Sequence, residues 1–204
     1  SADDTFSISG SQTHQVDAGD GDNVLVLADD SAALTGAFAA GSGSDSLDLS
    51  GLTDLQAVTL TSADSSGFSG TLATLPGGFS GIEAVTGGSA NDTLAGLNDD
   101  STWTVSAAGV GQYFDSGSGS TLDFSGTELL VSGSGADTFT VASGGSVGSI
   151  DAGGGSDSLV QTDGVNTWNI TGADAGNVTD VSGYSGIENI TGGSEDDTFV
   201  FADT

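Results

Sequence analysis

Ser132-Gly133-Ser134-Gly135-Ala136-Asp137-Thr138-Phe139-Thr140 is followed, one short interval on, by Ala152-Gly153-Gly154-Gly155-Ser156-Asp157-Ser158-Leu159-Val160. Each stretch reads as a glycine corner, an Asp, and then apolar residues alternating with small ones at the period of a half-buried strand. Working outward, the same nine-residue pattern recurs as AGDGDNVLV from Ala18, AGSGSDSLD from Ala40, GGSANDTLA from Gly87 and GGSEDDTFV from Gly192, with a half copy, SADDTFS, from Ser1. Six copies and a half in one chain make the repeat the feature from which the fold must be read.

The Asp position falls at Asp4, Asn23, Asp45, Asp92, Asp137, Asp157 and Asp197, at intervals of 19, 22, 47, 45, 20 and 40 residues. The long intervals are about twice the short ones. Degenerate Gly-Ser turns sit near their midpoints, at Ser66–Gly70, Ser116–Ser120 and Gly176–Asn177. Coils of about 20 residues, repeated about ten times, account for that spacing. Alternating stretches such as Asn23–Leu27, Thr102–Val105, Asp137–Val141 and Thr198–Phe201 supply the strands. A lone strand of this kind cannot bury its apolar face, whereas coils stacked at about 4.8 Å pair every strand with the ones above and below. The sequence therefore predicts an all-β fold, a parallel β-solenoid (β-helix or β-roll) forming one repeat-built domain over residues 1–204. It would be a segment or a subunit of a longer array.

A larger unit is layered on the coils. Asp92 leads eleven residues later to Trp103, and Asp157 leads eleven residues later to Trp168. Phe79-Ser80-Gly81-Ile82-Glu83, Phe124-Ser125-Gly126-Thr127-Glu128 and Tyr184-Ser185-Gly186-Ile187-Glu188 each place a Glu nine residues before a motif Asp. Both Trp residues recur at one place in a strand pattern, which reads as core packing.

Lys and Arg are absent from all 204 residues, and the formal charge is -29. Such a surface has nothing to neutralise phosphates, so nucleic acid and anionic lipid are poor partners, no nucleic-acid binding or membrane insertion is expected, and cations are favoured. Of the 29 acids, 25 are Asp, the short side chain that suits turns and hard-cation loops. With no Cys, disulfides and thiolate metal sites are excluded. No apolar run reaches the roughly 18 residues of a membrane span, and an export leader would lie outside this segment. Catalysis lacks material: His14 is the single imidazole, expected at the surface, and no Cys, Lys or Arg is present. The chain reads as no enzyme, although the pairs Asp29-Asp30, Asp99-Asp100 and Asp196-Asp197 are the carboxylates a carbohydrate-cleaving solenoid would use.

The nonapeptide resembles the haemolysin-type calcium-binding (RTX) repeat, whose physical reading is a β-roll with Ca²⁺ in its turns. Here single copies are separated by a full coil, where that family runs them in immediate tandem. The larger unit is similar to repeats of very large bacterial surface adhesins. The resemblance implies Ca²⁺ as the bound ion and places the ligands on Asp4, Asp45, Asp92, Asp137, Asp157 and Asp197, with Asn23 a neutral ligand at the same position. Asp3, Asp20, Asp22 and Asp196 lie beside it as secondary ligands.

The expected role is an extracellular, cell-surface structural protein: a calcium-loaded filament, surface layer, matrix element or adhesin stalk that stacks end to end. A carbohydrate-binding or carbohydrate-cleaving solenoid, with surface glycan as the partner, and an ice- or mineral-binding surface are the alternatives. Converging carboxylates with an aromatic in one groove would mark the first, and a flat Thr or Asp array the second.

Overall fold

The computed structural model describes residues 2–202; Ser1 of the half motif, and Asp203 and Thr204 of the expected domain, lie outside the described residues. The chain is all-β, and most of its strands belong to two large sheets. Sheet I has ten strands, in the order Thr5–Ile8, Val24–Leu27, Ser46–Asp48, Ala84–Thr86, Thr121–Ser125, Val110–Asp115, Ser101–Ala107, Thr138–Val141, Ser158–Gln161 and Asn189–Thr191. Sheet II has twelve, running from Val16–Asp17 and Phe38–Ala39 at one edge to Thr167–Gly172 and Thr198–Phe201 at the other. A small pair, Ser11–Gln12 with Ala33–Leu34, bridges the first two turns of chain. Among the described residues no helix is long and apolar enough to cross a membrane.

Outside three antiparallel runs, successive strands of the two large sheets alternate between them, and most neighbours are parallel and in register. Phe6 lies beside Leu25, Leu25 beside Leu47, and Leu47 beside Val85. Apolar residues in each column point inward because a one-residue slip would turn them all to solvent. The two sheets meet across one core, as the contacts Phe6–Phe38 at 5.8 Å and Phe68–Tyr113 at 5.6 Å mark.

The sheets are mixed, and here the structure differs from the spacing argument. The long intervals do not hold two plain coils. Each holds a three-stranded antiparallel meander: Ala57–Asp64, Gly67–Leu72 and Leu75–Ile82 in sheet II; Ser101–Ala107, Val110–Asp115 and Thr121–Ser125 in sheet I; Thr167–Gly172, Ala175–Val178 and Val181–Ser185 in sheet II. Only the middle strand of each runs against its neighbours. Thus Ser66–Gly70 and Ser116–Ser120 belong to meander turns and strand starts, and Gly176–Asn177 lies inside a middle strand. Glycine, serine and aspartate serve hairpin turns and coil corners equally, so composition alone does not separate the two. Because each meander adds half a turn of chain, the motif strand changes sheet after each one, from sheet I at Ser46–Asp48 to sheet II at Thr93–Ala95 and back to sheet I at Thr138–Val141.

The repeated aromatic of the Ser-Gly-Ile-Glu element has a structural reason. Phe79 pairs with Gly70, Phe124 with Gly111 and Tyr184 with Gly176, each glycine lying on the middle strand of its meander. The missing side chain makes room for the ring. A Cβ on Gly111 would collide with the Thr104 carbonyl oxygen and sit 2.6 Å from Phe124 Cζ. Gly111→Ala is therefore expected to cost about 1–3 kcal/mol by overpacking. Urea unfolding followed by circular dichroism measures it, and an unchanged midpoint would contradict this packing.

Candidate cation-binding acid columns

The glycine corner ends on the motif Asp, and the residue after it opens a strand. At that point each backbone N–H projects toward the adjacent rung, where the equivalent side chain receives it. The result is four short columns. In the first, Asp4 N–H donates to Asn23 Oδ1, Asn23 N–H to Asp45 Oδ1, and Asp45 N–H to Glu83 Oε2. The second runs from Gln56 N–H to Asp92 Oδ1 and from Asp92 N–H to Glu128 Oε2. The third is as long as the first: Ser101 N–H and Oγ–H donate to Asp137, Asp137 N–H to Asp157 at 2.8 Å, and Asp157 N–H to Glu188 at 2.7 Å. In the fourth, Asn166 N–H donates to Asp197 Oδ1. A carboxylate accepting a backbone N–H makes a charge-assisted bond, so these acids fasten one rung to the next.

Of the residues that the sequence singled out, Asn23, Asp45, Asp92, Asp137 and Asp157 are buried in these columns. Asp197 is half-buried, and Asp4 is exposed at the open end of the first column. Asp3, Asp20, Asp22 and Asp196 are exposed on the rim. There Asp3 Oδ1 accepts Asp22 N–H, Asp22 Oδ1 accepts Ser44 N–H, and Asp20 accepts the Ser42 hydroxyl, an outer seam beside the inner one. Sequence reasoning grouped Glu83, Glu128 and Glu188 as one position without giving them a role. Their nine-residue lead on an Asp was the signal that they fill the Asp position on the rung after a meander.

The electrostatics of the columns are unbalanced. Asp45 and Asp157 are 0 % exposed and Asp137 1 % exposed, and the second oxygen, Oδ2, of all three has no hydrogen-bond partner. Burial pushes the Asp157 carboxyl above its ordinary value, and the negative Asp137 and Glu188 beside it push the same way. Burial likewise raises Glu83, with Asp45 and Asp22 adding to the rise. Such groups fold more readily with a proton on, so their contribution is present below the ordinary carboxylate range and is lost as pH rises through the raised value.

Asn23 shows what satisfies the same position. Its Oδ1 accepts as an Asp oxygen does, while its Nδ2 donates to the carbonyls of Gly21 at 2.9 Å, Ala40 at 3.0 Å and, at 3.5 Å, Gly19. An amide hydrogen thus fills a recess walled by backbone carbonyls. An Asp in that place brings an oxygen where Asn brings a donor. Among the described residues, no group of three or more His, Cys, Asp or Glu forms a ready metal cage.

No family model matches the chain, and no curated protein or solved structure matches it.

Proposed function

We propose that this chain is a calcium-binding structural β-solenoid of the extracellular surface, a stalk, filament or matrix element in which external cations hold acid-lined rungs together. The observation that carries the reading is the contrast between Asn23 and three of its Asp equivalents; at the fourth buried one, Asp92, Oδ2 instead accepts the Gly88 N–H at 2.6 Å. Where the corner holds Asn, an N–H faces the carbonyls; where it holds Asp45, Asp137 or Asp157, a buried oxygen has no donor at all. In a chain without Lys or Arg the missing positive charge has to come from outside, and a hard cation that takes carboxylate and carbonyl oxygens together fits such a recess. A buried carboxylate left without a partner costs several kcal/mol, so the ion would be part of the fold.

Stacking along the array, onto further coils or a second copy, is supported by the sheet edges. Phe199 and Phe201 of the edge strand Thr198–Phe201 are exposed, as is Val200 between them, and an uncovered strand edge is a template for another strand. An extracellular location follows from the ion, because the reading needs more calcium than cytosol offers.

Circular dichroism tests the coupling. In chelator the β signal should weaken as pH rises above the ordinary carboxylate range, following the raised carboxyls of Asp157 and Glu83, and added calcium should restore it at neutral pH. A full, pH-independent spectrum in chelator would refute the reading.

A further inference from the structure

The second meander carries a feature that the motif columns do not include. Where its second strand turns into its third, Asp115 is 1 % exposed. One oxygen, Oδ2, accepts the Ser118 N–H at 2.7 Å and the Ser118 hydroxyl at 2.6 Å. The other, Oδ1, is buried and has no partner. Asp115 lines a surface cleft of about 500 Å³ together with Leu97, Asn98, Asp99 and Gly117.

Asp99 reaches this turn from the corner that leads into the meander's first strand, Ser101–Ala107, whose Ser101 pairs with Asp115. A Cβ on Gly117 would lie 2.6 Å from Asp99 Oδ2, so that carboxylate rests on the bare glycine two residues beyond Asp115. Asp100, beside it, is already engaged: its Oδ1 accepts Ala136 N–H and its carbonyl accepts Ser116 N–H. Two carboxylates, one exposed and one buried with an idle oxygen, therefore line one cleft, together with Asn98. No aromatic side chain lines the cleft, which tells against a sugar ring as the occupant. No basic side chain exists anywhere in the chain to pair with them.

We infer that the cleft at the turn of the second meander binds a hard divalent cation of calcium's size between Asp99 and Asp115, at a site separate from the motif corners. Two carboxylates leave the rest of a six- to eight-oxygen shell to backbone carbonyls and water, the mixed set that Ca²⁺ accepts and that Mg²⁺ fills less readily. The inference does not depend on the motif columns, since Asp99 and Asp115 belong to none of them.

Terbium luminescence reads this site directly. Trp103 lies 4.4 Å from Tyr113, whose hydroxyl accepts the N–H of the cleft residue Leu97, so an ion in the cleft sits close to an indole sensitiser. In a Trp168→Phe background, where Trp103 is the single indole, Tb³⁺ should emit on indole excitation and Ca²⁺ should quench the emission. Asp99→Asn and Asp115→Asn should each lower the apparent Tb³⁺ affinity at least about tenfold, as loss of one of two charged ligands requires. Asp163→Asn, on an exposed turn elsewhere, should leave it unchanged. Undiminished affinity in Asp99→Asn, a surface change that keeps the fold, would overturn the site even if Asp115→Asn fails to fold. Emission lost in the Asp45, Asp137 and Asp157 to Asn variant but kept in Asp99→Asn would also overturn it and leave the column reading standing. Emission kept in the triple variant but lost in Asp99→Asn would support the cleft and tell against the columns.

Discussion

Changing Asp45, Asp137 and Asp157 together to Asn is expected to abolish the dependence of stability on calcium while leaving the fold intact. Each Asn keeps an oxygen for the N–H of the neighbouring rung and adds the donor that Asn23 already uses against Gly21 and Ala40. In chelator the variant should therefore be more stable than the wild type, because three buried oxygens without donors are gone. In calcium the order reverses. The wild type gains about 2.7 kcal/mol for each site when the ion stands a hundredfold above its dissociation constant, and the variant does not. Urea unfolding in the two conditions measures both. A variant destabilised equally with and without calcium would mean that these side chains are only rung fasteners.

Trp103→Ala should cause the largest loss of any single core change, about 3–5 kcal/mol. Trp103 is fully buried and packs at 4.4 Å from Tyr113, 5.6 Å from Phe139 and 6.2 Å from Phe124, so it joins all three strands of the second meander to the next rung. Its Nε1 also donates to Ser132 Oγ. Trp168 occupies the matching place in the third meander, stacked 5.8 Å from Phe199, but its Nε1 is buried without an acceptor. Trp103→Phe should accordingly cost more than Trp168→Phe, since only the first gives up a hydrogen bond. Thermal unfolding of the two Phe variants settles the order, and equal losses would contradict the difference in packing.

The periodicity was legible at the motif strands. Asp137 and Asp157 are followed by strands paired residue for residue, Phe139 beside Leu159, as alternation at a fixed spacing requires. Both Trp residues fell in the core where their repeated position put them. The meanders were not legible, because Ser116–Ser120 has the composition of a coil corner and nothing in it reveals that the chain will turn back. What distinguishes them is long-range: a glycine on one strand matched to an aromatic on the next, as Gly111 to Phe124. That pairing is visible in the sequence only once the register is known. The motif Asp positions were legible as one repeated place in the fold, and Asn23, Asp45, Asp92, Asp137 and Asp157 do share the buried columns. What the spacing did not reveal is the backbone bond between rungs: Asp45 and Asp157 each give one oxygen to a backbone N–H and keep one idle. Asp115 escaped notice because it stands outside the repeat.

The most direct measurement is an anomalous difference map from crystals grown in calcium. Peaks are expected beside Oδ2 of Asp45, Asp137 and Asp157, facing the corner carbonyls, with none beside Asn23, whose amide already fills that place. Calcium confined to exposed rim residues such as Asp20 and Asp196, or found nowhere in the protein, would contradict the view that the ion completes the buried acid columns.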